Sequence, residues 1–215
     1  MQIWKRFRGR VRMQVREISR EGFSQGTGAG KFQGIGLSGI RRWEVFKKAF
    51  RKGQTMAQTA EFHGDLVTSH RNIYTPSSFA RECLLHLQEA GSLRAAKPHT
   101  SKRSGLSSYL FFLVVSGSGS LSVSGHDYVL RKGDCVFLDC LNSYSHTTSR
   151  NLWELKWVHF NGSQMPGIYR KFLERNSGPV FHSASEALTG QFLALLDNIY
   201  DISLSDCYTR DMKLN

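Results

Sequence analysis

No apolar run in these 215 residues approaches the 18 or so that a membrane-spanning helix needs. The basic N-terminus has no apolar segment behind it, so it does not read as a secretory signal. Cysteine is scarce. Cys83, Cys135, Cys140 and Cys207 contain no C-x-x-C pair and read as reduced, buried thiols of a cytoplasmic protein. Cys135 and Cys140 stand five apart on one expected strand and therefore face opposite ways. No two histidines have the H-x-H spacing that brings two imidazoles from one strand onto one metal ion. No G-x-S-x-G elbow exposes a serine, and no paired carboxylates stand out. Asp134 follows a turn glycine and reads as a cap on that turn. The sequence thus offers no catalytic residue, no metal ligand set and no cofactor, and the chain is expected not to be an enzyme.

Acidic residues are nearly missing from the first quarter of the chain. Residues 1–53 hold 14 Lys/Arg against 3 Asp/Glu, a net +11, whereas residues 54–215 hold 15 against 14, a net +1. The high pI of 9.8 is therefore a property of the first segment, and charge gives no argument that the rest binds nucleic acid. Three readings of this segment compete: a basic arm for phosphates, a disordered tail, or residues ahead of the true translation start. The last is the expectation adopted. Composition turns ordinary at Met56, and Arg51-Lys52-Gly53 fits the purine-rich DNA of a ribosome-binding site. GTGAGK is not a phosphate loop, because Phe32 follows Gly30-Lys31 and Gln25 stands where the first glycine belongs.

What is present is a succession of short apolar runs and tight turns. Tyr109–Val115 is continuously apolar and rich in β-formers, which predicts a strand buried on both faces. Leu121 and Val123 alternate with serines, as in a half-exposed strand. Gly125-His126-Asp127 predicts a turn, Tyr128–Leu130 a short strand, Arg131–Asp134 a turn, and Cys135–Cys140 a strand. Trp153–Phe160 predicts the last clear strand, with Trp153, Leu155, Trp157 and His159 on one face. Several short strands joined by glycine turns indicate a small antiparallel sandwich or barrel. Helices are expected from Ser77 or Ser78 to a stop at Gly91, across Ile168–Leu173, and after a capping box at Ser183-x-x-Glu186. Ser92–Gly105 reads as a loop or short edge strand, and Ser143–Asn151 as a polar loop. The last helix is amphipathic through Leu188, Phe192, Leu195, Leu196 and Ile199. That face serves either a dimer or the outside of the barrel.

The order Gly117-x-Gly119, Gly125, Leu130-x-x-Gly133-Asp134, His146 and Trp153-x-x-x-Trp157-Val158-x-Phe160-x-Gly162 resembles the N-terminal sensor domain of AraC/XylS-family transcription regulators. The resemblance runs from about Tyr74 to Ile199. It implies a mainly β fold: a cupin-like antiparallel β-barrel (double-stranded β-helix) followed by C-terminal α-helices. The chain then divides into the basic extension 1–55, a sensor barrel 56–162 and a helical dimerisation segment 163–215. In the family a DNA-binding domain with two helix-turn-helix motifs normally follows. Nothing after Ile199 has that pattern, so DNA contact is expected only through a domain absent from this chain. The resemblance also implies a small-molecule effector, a sugar among the candidates, a homodimer, and no membrane partner. It places ligand-binding residues at Arg103, His146, Thr148, Leu155 and Trp157. Arg103 would pair with an anionic or hydroxyl-rich effector, or is an exposed loop arginine. Trp157 would stack on a sugar face, or is core. Thr148 and Leu155 are not the large polar groups that arabinose would require, so arabinose is not expected. The competing reading is a stand-alone cupin-like small-molecule-binding protein or enzyme.

Overall fold

A computed structural model describes residues 58–183, 185–205 and 209–215. The basic segment and the start expected at Met56 lie outside the described residues. Eleven described strands and four helices follow in this order: β1 Gln58–His63, β2 Val67–Ile73, α1 Ser78–Cys83, β3 His86–Ala95, β4 Thr100–Arg103, β5 Tyr109–Ser116, β6 Ser118–Val123, β7 His126–Arg131, β8 Asp134–Asp139, β9 Tyr144–Thr148, β10 Glu154–Asn161, α2 Met165–Asn176, β11 Val180–His182, α3 Glu186–Leu204 and α4 Arg210–Leu214. The strands form two antiparallel sheets. One runs β1-β2-β3-β10-β5-β8-β11 and the other β4-β9-β6-β7. The fold is mainly β with C-terminal helices, as the sequence predicts.

The continuously apolar run becomes β5, held between β10 and β8 inside the larger sheet. Both its faces are covered, as a both-sided apolar strand requires. Leu110, Phe112 and Val114 meet Leu121, Val123, Leu130 and Tyr144 of the smaller sheet in one apolar interior. On the outer face Leu113, with Cys135 and Val158, packs under Phe192, Leu196 and Ile199 of α3. Cys135 and Cys140 accordingly fall in different clusters, on opposite faces. The apolar stripe of α3 thus covers the sheet. The β6–β7 turn consists of Ser124 (φ 52°) and Gly125 (φ 76°), the left-handed pair of a two-residue hairpin, so β7 begins two residues earlier than expected. The Asp134 carboxylate accepts from the Arg131 N–H at 2.7 Å, capping its turn as predicted.

Three expectations fail. The helix predicted to run to Gly91 ends at Cys83, with Ser77 as its cap, and its Phe79 is exposed. Residues 86–95 are instead a strand bonded on both sides, to β2 and to β10. Ladder bonding on two edges overrides a weak helical period, and Gly91 is there because no side chain fits. The polar loop 143–151 contains β9. Tyr144, His146 and Thr148 alternate with Ser145 and Thr147, and β4 and β6 flank it. The cap of α3 is Ser185, whose hydroxyl accepts from the Leu188 N–H at 3.2 Å, not Ser183. The sequence reading also named no strand before Ser77, where β1 and β2 lie.

Candidate functional site

Register decides which side chains share the interior. Arg71, Gly91, Trp157, Phe112 and Val136 are successive partners across β2, β3, β10, β5 and β8. The neighbouring row is Ile73, Glu89, His159, Leu110 and Leu138. Because side chains alternate with period two, these rows and Leu155 lie on the face turned to the smaller sheet. From that sheet, β9 presents Tyr144, His146 and Thr148, paired with Arg103 and Ser101 on β4 and with Val123, Leu121 and Gly119 on β6.

The polar groups gather towards one end. The Trp157 indole N–H donates to Glu89 Oε1 at 3.3 Å, and the same oxygen lies 3.8 Å from the Arg71 guanidinium. His159 Nδ1 and the Ser108 hydroxyl are 3.0 Å apart. His146 sits among aromatic rings, with centroids 5.7 Å from Trp153, 6.2 Å from Phe112 and 6.4 Å from Tyr144. Two buried nitrogens of the interior, His146 Nδ1 and Trp153 Nε1, the latter beside Gly119 at the other end, have no hydrogen-bond partner. A native interior leaves few such atoms.

Burial first, then the charges of Arg103 and His99, pushes the His146 pKa down to about 4. Burial, then Arg103, does the same to His159, also to about 4. Both imidazoles are therefore neutral at pH 7, each with one donor and one acceptor nitrogen. Burial raises the Tyr144 phenol, so it keeps its proton. The site can offer hydrogen bonds from uncharged rings against an aromatic wall, with cations and one carboxylate around them.

The five residues expected from sequence are spread along the interior and its rim: Thr148 pairs with Gly119 and Leu155 with Val114, away from the end where Glu89 and His159 pair. Leu155 and Trp157 face the interior on β10, the latter half-buried with its ring over Gly91. Thr148 is buried, its hydroxyl 3.4 Å from His99 Nδ1. His146 is on a strand rather than in a loop. Arg103 is exposed at the end of β4, donating to the Lys102 carbonyl at 2.9 Å. Sequence reasoning missed Arg71, Glu89 and Tyr144. Reading His86–Ala95 as a strand would have put Glu89 and Gly91 on one face. Among the described residues no group of three or more His, Cys, Asp or Glu is placed to hold a metal ion, and no helix is long and apolar enough to cross a membrane.

The family description of the AraC-like ligand binding domain matches residues 85–208. Comparison with curated proteins found no match. Similar solved structures include a cupin superfamily protein from Desulfitobacterium hafniense, 11% identical, covering 46% of this chain and 81% of that one at a TM-score of 0.36. Ectoine synthase from P. lautus is 10% identical, covering 58% and 81% at 0.37. KdgF from Halomonas sp. is 11% identical, covering 50% and 90% at 0.36. Likeness at this level says nothing about activity.

Proposed function

The chain belongs to the AraC-like ligand-binding family, and from that premise we propose that residues 58–205 sense a small polar effector between the two sheets for a transcription regulator. The protein is a binding module rather than an enzyme, it works as a cytoplasmic homodimer, and it acts on DNA through a separate DNA-binding domain rather than through the two sheets. One observation carries the reading: His146 points a buried, unpartnered Nδ1 into an interior whose other polar groups, Glu89, His159 and the Trp157 indole, lie at the same end. An apolar interior with a few convergent polar groups is what orients a small molecule. The effector binds one arrangement of the domain better than another and shifts the population between them.

The test is a ¹H–¹⁵N NMR titration of the full chain with a panel of sugars and small organic acids. Binding as proposed moves the indole resonances of Trp153 and Trp157, and His146→Ala abolishes the change. Shifts confined to α2 and α3, with those indoles still, would refute it. Sedimentation of the full chain checks the dimer.

A further inference from the structure

At the rim of the interior, the ends of β4 and β6 and the start of β9 surround a depression of 470 Å³. Its lining comprises Lys102, Arg103, Val123, Tyr144, Gly125 and five serines, without a single carboxylate. Val123 and Tyr144 are register partners and both buried, so the apolar part of the lining continues into the interior, where His146 is the next inward-facing residue of β9. Among the described residues neither Lys102 nor Arg103 forms an ion pair, in contrast to Arg71 and Arg94, which face Glu89 and Glu154. Arg103 Nη1 spends its hydrogen bond on the neighbouring carbonyl, which leaves the rest of the guanidinium fork free.

We propose that this depression is the subsite for an oxyanion group, carboxylate or phosphate, on the molecule that the domain senses; the inference rests on the small-molecule reading above. Arg103 supplies the planar fork suited to such a group, Lys102 a second charge, and the serine hydroxyls neutral donors. The body of the ligand then lies over Tyr144 towards His146. Among the described residues the charge of Arg103 has no counter-ion, and it adds to burial in keeping His146 and His159 neutral. A ligand anion would supply the compensation that no described residue provides.

The experiment is calorimetric titration of the full chain and of Arg103→Gln and Lys102→Gln with benzoate, citrate and inorganic phosphate. Benzamide and glucose serve as uncharged probes. The basic segment 1–53 is identical in all three proteins, so the difference between them isolates the rim. The expected result is binding of at least one oxyanion, weakened about tenfold or more by Arg103→Gln and less by Lys102→Gln, with benzamide not bound. Whether the carboxylates or phosphate bind identifies the group. Equal oxyanion binding by the parent and Arg103→Gln overturns the proposal. So does binding of glucose alone, which would leave the small-molecule reading standing. Binding of no probe counts against both.

Discussion

Gly91 tests the architecture and the site together. A Cβ at this position would stand 2.6 Å from the His70 carbonyl oxygen, 2.7 Å from Trp157 Cζ2 and 3.0 Å from Arg71 Cβ. Ordinary carbon contacts begin near 3.5 Å. The His70 oxygen belongs to the β2 backbone and has no rotamer with which to retreat. The Trp157 ring is tied to Glu89 by its indole N–H. Gly91→Ala must therefore either spread β2 from β3 or displace the indole. Overpacking of this kind costs about 1–3 kcal/mol. For a chain of this size that lowers Tm by roughly 2–12 °C, read by thermal unfolding at pH 7.5. Gly91→Asn separates this account from the helix end that the sequence suggested. Asparagine is tolerated after a helix, but in a strand beneath Trp157 it is worse than alanine. Gly190→Ala is the control of opposite sign. It lies within α3 with nothing near its absent Cβ, and alanine there stabilises by about 0.5–1 kcal/mol. A Gly91→Ala protein melting within a degree of the parent, or Gly91→Asn melting above Gly91→Ala, would refute the reasoning.

The two interior histidines set an acid limit. In the unfolded chain each takes a proton near pH 6.5, while in the fold each stays neutral down to about 4. The unfolded state therefore binds more protons in that window, so stability is full above pH 6.5 and falls as pH drops towards 4. The gap corresponds to about 3 kcal/mol per ring as an upper figure, and urea melts at pH 7.5 and 5.0 should show a smaller drop in His146→Gln than in the parent. Burial pushes the Cys135 thiol up to about 12 and raises Cys140, whereas Cys83 is exposed. Peptide mapping after brief labelling of the native protein with a maleimide should find Cys83 modified, with Cys135 and Cys140 modified only in denaturant. Tyr74 anchors α4: its hydroxyl donates to Asp211 at 2.6 Å and accepts from Arg210 at 3.1 Å. Tyr74→Phe should cost about 1–3 kcal/mol in urea unfolding and speed amide exchange in α4, since it leaves part-buried charges without that partner.

The sequence by itself determined the parts written in local chemistry. Continuous apolar character made β5 an interior strand, and glycine with serine or aspartate placed the β6–β7 and β7–β8 turns. The spacing Leu155, Trp157, His159 put three side chains on one face of β10. These signals are short-range, depending on pleat and φ/ψ, and a single chain carries them legibly. Tertiary structure decided the rest. His86–Ala95 has residues acceptable to a helix, and only pairing with β2 and β10 makes it a strand. Gly91 reads equally well as a helix stop or as a close approach until the Trp157 ring is seen above it. His146 looked like a loop residue, because Ser, Thr and Tyr around it lack an apolar rhythm; β4 and β6 convert that stretch into an interior strand. Arg71, Glu89 and His159 meet only through register between strands as many as 88 residues apart in sequence. Period two tells which residues of one strand share a face. It does not tell which strands lie side by side, and the site consists of that adjacency.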